Sequence, residues 1–244
     1  MNIKRNISLL IVIGFVISTV LRLHAQSAVK TRKTGITNDS TQKTLAPFFI
    51  PATSSTKTPN PEGFIQRWLL LEPISKSIRS NVVFTENYLK TQFNTNYFPN
   101  QFTVIPADKE AVNVEGKELQ WHALECPNFN VKLFRFAYGL KKQTYGVLFW
   151  AVTVVNSPRE IKNARLAVGS NGGSMWWING KEAVILDGDR RMVMDDSVSP
   201  RLTLNKGKNI IRGAVINGPG LSDFCVRILD ENGAPIKDLT ITLQ

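Results

Sequence analysis

The dipeptide Asn179-Gly180 breaks the apolar run Met175-Trp176-Trp177-Ile178, and it constrains the chain more than any other feature. Asn-Gly is the pair best suited to the two positive-φ positions of a type I′ turn, so two short antiparallel strands should meet there. Lys181 to Leu186 is the returning strand. After the charged segment Asp187 to Asp196, Arg201-Leu202-Thr203-Leu204 alternates and stops at Asn205-Lys206-Gly207. Asn209 to Ile216 then leads to the glycine loop Gly218-Pro219-Gly220, and Phe224 to Leu229 follows. Short strands with turn signals about every 8 to 12 residues mark a β-sandwich.

Upstream, Phe64 to Leu71 reads as a strand stopped by Pro73, and Thr85 can cap a short helix over Glu86 to Phe93. Phe102 to Ile105, Leu119 to Leu124 and Val131 to Tyr138 each suit a strand, with Asp108 to Lys117 as a polar connection. Tyr145 to Val155 is nearly all apolar, the pattern of a central strand covered on both faces. Ala164 to Val168 alternates, and Pro235 to Leu243 forms a last strand after the turn Asp230 to Gly233. The chain is therefore expected to be all-β, one β-sandwich over residues 62–244 with one short helix.

Several of these residues carry a resemblance. The order Trp177-Ile178-Asn179-Gly180-Lys181, Leu204 to Ile211, Gly218-Pro219-Gly220, then Phe224 with Arg227-Ile228 resembles the non-catalytic jelly-roll modules, galactose-binding-like in fold, of secreted bacterial polysaccharide-degrading enzymes. The set found in proteins labelled acetylxylan esterase is the most similar. The match covers the C-terminal third, and Trp68 to Pro73 resembles the opening strand of such modules. It implies a jelly roll, a polysaccharide or oligosaccharide partner of the xylan class, and a catalytic enzyme of the same degradation system as a second partner. Its motifs are turn and strand chemistry, which specify a fold more strongly than a ligand.

At the N-terminus, Lys4 and Arg5 precede the apolar run Ile7 to Val20, and Ala25 follows, so residues 1–25 read as a signal peptide. The protein is expected to be exported, to the periplasm, the cell surface or the medium. The run is shorter than the roughly 20 residues of a bilayer-spanning helix, and no membrane span is expected. Residues 26–61 are rich in Thr, Ser, Lys and Pro and read as a flexible leader. Within it, the proline-bracketed patch Leu45 to Pro51 either docks on the body as an edge segment or stays a tether. The net charge of +11 sits largely in the signal and leader, with no Lys/Arg stripe interleaved with aromatics. Nucleic acid is therefore not an expected partner, whereas a basic leader suits acidic polysaccharide or a membrane surface.

Chemistry is sparse. The chain has no phosphate-binding glycine loop, and His122, the one histidine beyond the signal, cannot build a multi-histidine zinc site. Gly169-Ser170-Asn171-Gly172 and Gly172-Gly173-Ser174 miss the spacing of a nucleophile elbow, so no catalytic residue is expected. A carbohydrate esterase, the enzymatic alternative, would need His122 to activate Ser170 or Ser174. Asp187, Asp189, Asp195 and Asp196 concentrate acid in one connection, which could hold calcium; Arg190 and Arg191 could equally balance it. No other cofactor is expected. Cys126 and Cys225 either bridge, as export permits, or remain thiols.

A sugar site needs an exposed aromatic face beside fixed polar groups. If Ile178 is core, alternation turns Trp176 inward and Trp177 outward. Trp177, Asn179, Asp189, Arg190 and Asn217 are thus the expected ligand-binding residues, the other arrangement being Trp177 capping the sandwich edge under a loop. The function expected is a non-catalytic carbohydrate-binding accessory module, with a structural or adhesive surface module as the third reading.

Overall fold

The computed structural model describes residues 44–243; the expected signal peptide and the first part of the expected leader lie outside them. In chain order the strands are β1 (Ile50–Pro51), β2 (Arg67–Leu71), β3 (Ile74–Ser75), β4 (Ala111–Val114), β5 (Lys117–Glu125), β6 (Val147–Ser157), β7 (Ile161–Ser170), β8 (Gly173–Ile178), β9 (Lys181–Leu186), β10 (Ser197–Val198), β11 (Leu202–Leu204), β12 (Gly207–Asn217), β13 (Phe224–Leu229) and β14 (Thr240–Thr242). The larger sheet runs β1-β5-β2-β6-β12-β8-β9, with β3 and β14 also paired to β6 and β4 to β5. In the smaller sheet β7 pairs with β10, β11 and β13. Every pairing is antiparallel. The chain is an all-β sandwich.

Alternation along the central strands divides the core in two. Trp68, Leu70, Ala151, Trp176 and Val215 of the larger sheet meet Leu166, Val168, Phe224 and Val226 of the smaller one. Three rings lock this interior edge to face, Trp68 on Trp176 at 5.9 Å, Trp68 on Phe224 at 5.0 Å and Trp176 on Phe224 at 4.9 Å between centroids. The opposite face of the larger sheet carries Leu69, Leu71, Trp150, Val152, Met175 and Trp177, and it too is covered, by Phe84, Leu89, Phe93, Tyr97 and Phe98. The molecule thus has three layers, which is why β6 is apolar on both faces.

Helix α1 (Glu86–Asn94) supplies part of the outer cover. The Tyr88 N–H donates to the Thr85 hydroxyl at 3.3 Å, the expected N-cap, and Leu89 and Phe93 sit one turn apart toward the sheet. A second helix, α2 (Leu133–Gly139), replaces the strand expected over Val131 to Tyr138. Leu133, Phe136 and Ala137 are its buried residues, and their i, i+3, i+4 spacing is helical rather than alternating. The described residues therefore hold two short α-helices where one was expected. Phe102 to Ile105 is not a strand either; Phe102, Val104 and Ile105 pack from a turn onto the outer core. The expected last strand shrinks to β14, with Pro235 making an isolated pairing to Leu229.

The proline-bracketed patch docks. Ile50 and Pro51 pair with Glu125 and Leu124 at the edge of the larger sheet, and Phe49, 2% exposed, enters the inter-sheet core. Asn179 and Gly180 take φ values of 51° and 77°, which the hairpin turn between β8 and β9 requires. Among the described residues no helix is long and apolar enough to cross a membrane.

Candidate functional site

Two turns meet at one end of the larger sheet, and a buried asparagine joins them. Asn209, fully buried at the start of β12, accepts from the Asn205 N–H and from Asn179 Nδ2, each at 2.9 Å. Its own amide donates to the carbonyls of Asn205 at 2.8 Å and Gly207 at 3.0 Å. The Asn179 side chain in turn accepts from the Ile210 N–H at 2.9 Å. The β8–β9 and β11–β12 turns are thereby held as one rigid ridge, since all these bonds are to backbone or to a buried amide.

A depression lies on each side of this ridge. The first, about 450 Å³, is lined by Lys181, Glu182, Arg201, Thr203 and Asn205 together with the apolar Ile178, Ala183, Pro200 and Leu202. The second, about 400 Å³, opens between the turns and the cover segment and is lined by Phe102, Thr103, Asn179, Gly180, Asn205, Ile210 and Arg212. Asn179 and Asn205 border both. Each volume lies within the roughly 300 to 1,000 Å³ of small-molecule sites.

The residues expected to bind ligand do not gather. Trp177 does point away from the inter-sheet core, but it is 5% exposed, stacked on Trp150 at 5.7 Å and met edge-on by Phe102 at 5.4 Å. The outer layer covers it, so its ring face is not free to stack on a sugar. Asn179 stands on the ridge. Asp189 and Asn217 lie at the far end of the sheet, roughly 23 Å away along β12 at about 3.3 Å per residue. There Asn81 bridges Asp189 to the loop that follows Asn217, its Nδ2 donating to Asp189 Oδ1 and to the Pro219 carbonyl, each at 3.1 Å. Asn217 is fully buried and donates to the carbonyls of Gly218 at 3.1 Å and Gly220 at 3.0 Å, closing its own loop. Arg190 donates to the Asp187 carbonyl at 2.7 Å and pairs with Asp196.

The four aspartates are equally dispersed. Asp195 takes a two-pronged bond from Arg227, with Nε at 2.9 and 3.0 Å from its two oxygens, and this bond raises the arginine above its usual range. With Asp195 and Asp196 each neutralised by an arginine and Asp189 held by Asn81, the set does not converge. No group of three or more His, Cys, Asp or Glu capable of holding a metal occurs among the described residues.

His122 lies on β5, and the pairings Leu70, Ala151, Gly213, Trp176 place it four strands from β8, roughly 19 Å at about 4.8 Å per strand. Its ring meets Phe136 edge-on, and its Nε2 lies 3.5 Å from Glu72, which Lys142 also pairs at 3.0 Å. Ser170 and Ser174 are both fully buried; the first donates to the Gly172 carbonyl and the second accepts from the Trp176 indole. The serine–histidine pairing that an esterase needs is therefore not assembled. Cys126 and Cys225 are buried, unbridged thiols; burial pushes Cys225 up to about 11 and Cys126 higher still, far from a reactive thiolate.

No protein-family model matches the sequence, and no curated protein matches it. Solved structures similar to the chain include the PA14 sugar-binding domain from an RTX adhesin, at 11% identity over 72% of this chain and 96% of that one with a TM-score of 0.43. The PA14 domain of the MpAFP antifreeze protein has 11% identity over 79% and 95%, with a TM-score of 0.41. A β-glucosidase from Kluyveromyces marxianus has 17% identity over 46% of this chain and 13% of that one, with a TM-score of 0.31. At these TM-scores the likenesses carry no argument about function, and the association with acetylxylan esterases gains none from them.

Asn205, Asn209, Arg201 and Arg212 border or build the ridge and were not legible as site residues. Only Arg212 leaves a signal, a charge inside the apolar run Ile210 to Ile216.

Proposed function

We propose that this protein is an exported, non-catalytic glycan-binding module whose site is the cleft beside the Asn179–Asn205 ridge. One observation carries the reading: in a single 450 Å³ depression, charged and hydroxyl side chains alternate with small apolar ones on a rigid support. A pyranose presents the same alternation, hydroxyls around its rim and C–H groups on its faces, so Lys181, Glu182, Arg201 and Thr203 meet the hydroxyls while Pro200 and Leu202 meet the ring. Xylan as the glycan, and a polysaccharide-degrading enzyme as partner, follow from the sequence resemblance alone and belong to the same proposal.

Affinity electrophoresis against a panel of soluble polysaccharides, with xylan among them, tests the reading. Retardation by at least one glycan is expected, weakened by Arg201→Ala and by Glu182→Ala. Both side chains are exposed, so these variants should melt within about 0.5 kcal/mol of the parent. Retardation unchanged in both variants, or none with any glycan, overturns the proposal.

A further inference from the structure

The larger sheet buries two arginines, and they are treated differently. Arg67 on β2 is fully buried and saturated: Nε reaches Glu125 at 3.1 Å, Nη1 reaches the Ile241 carbonyl at 3.3 Å, and Nη2 meets Glu125 and Ser54. Arg212 on β12 is 2% exposed, yet both its Nη1 and Nη2 are covered and without a hydrogen-bond partner, and among the described residues no acidic side chain pairs with it. A guanidinium keeps its charge even there; burial lowers it only to about 10. A buried, unpaired charge is strongly unfavourable and is normally paired or removed. This one forms part of the wall of the 400 Å³ cavity beside the ridge, together with Phe102 and Thr103.

We propose that this cavity is an acidic-sugar subsite, in which the carboxylate of a uronate unit completes the two free nitrogens of Arg212. The orphaned fork matches a carboxylate, which accepts two parallel N–H bonds from a guanidinium. Phe102 supplies the apolar wall against which the ring that carries the carboxylate lies, and Thr103 a hydroxyl at the rim. Asn179 and Asn205 border both depressions, so a chain of sugars passes from the neutral cleft to the acidic subsite over one ridge. The inference rests on the glycan reading for the ring, but not for the anion.

Isothermal titration of the full chain with galacturonate and glucuronate oligosaccharides, and with their neutral counterparts, tests it. Uronate binding about tenfold or more tighter than neutral binding is expected, and Arg212→Met should erase that preference while neutral binding stays. Without ligand Arg212→Met should melt at or above the parent temperature, because it removes an unpaired buried charge. A drop of several degrees would show that protein groups already satisfy the guanidinium and would overturn the proposal. Should Arg212→Met fail to fold, Arg212→Lys keeps the charge, loses the fork, and should cut the preference in part. Neutral glycans bound with no uronate preference, or with a preference that survives both variants, overturn the subsite and leave the glycan reading standing. Uronates bound through Arg212 with no neutral binding keep the subsite and remove only the neutral cleft, and no binding of either class removes both.

Discussion

Glu125 is the counter-charge on which the paired arginine depends. Burial works against its ionisation, but Lys57 at 2.7 Å and Arg67 outweigh that and hold its carboxyl below the usual carboxylate range. A carboxyl depressed in the folded state takes its proton first in the unfolded state. Its contribution is complete above the unfolded value of about 4.3 and is lost as pH falls through the folded value. Glu125→Gln should therefore cost about 3 kcal/mol at neutral pH, because Arg67 stays buried with its charge unmatched. The deficit should shrink in acid, which urea melts across pH 3 to 7 would read out; a constant deficit would mean that the ion pair is not its origin. Trp177 makes a second residue-scale prediction. Packed between Trp150 and Phe102, its truncation to Ala should cost about 3 to 5 kcal/mol in a thermal melt, whereas a ligand platform in solvent would leave stability unchanged.

Strand β12 is the element on which the others converge, paired along its length to β6 and to β8. Its Gly213 stands opposite Trp176, whose ring lies where a side chain would be: a Cβ there would meet the indole at 2.3 Å. Gly213→Ala should therefore push the ring triad of the inter-sheet core apart and cost about 1 to 3 kcal/mol in chemical denaturation, and no loss would mean that the ring can yield. Much at this scale was legible. Asn179-Gly180 located the hairpin, Thr85 the first helix and the apolar run of β6 a doubly covered strand, because each is written in local or period-two chemistry. Leu133 to Gly139 was misread because its large apolar residues, Leu133, Phe134 and Phe136, suit a strand as well as a helix over so short a window. The site was harder. Alternation turned Trp177 away from the inner core correctly, but nothing in strand periodicity says that a third layer covers the outer face. The gathering of Asn179, Asn205 and Arg212, and the separation of Asn217 and Asp189 from them, depend on which end of β12 each residue occupies.

Considered whole, the molecule closes its larger sheet on three sides by unlike means: the smaller sheet inside, the segment around α1 outside, and β1 along one edge. Phe49 and the Lys57–Glu125 pair tie that edge to the body. A chain begun at Pro61 should consequently melt well below one begun at Thr44 and aggregate more readily, since it bares the Leu124–Glu125 end of β5, which β4 does not reach; equal melts by calorimetry would mean the docked segment contributes nothing. The outer cover is of another kind. It leaves the sheet after β3 and returns before β4 in one uninterrupted excursion, and it carries Phe102 and Thr103 to the rim of the cavity. No strand register depends on its length. Descendants of this chain can therefore exchange that excursion, and with it one wall of the cavity, while inheriting the frame intact: the cavity's shape and the architecture are free to evolve at different speeds.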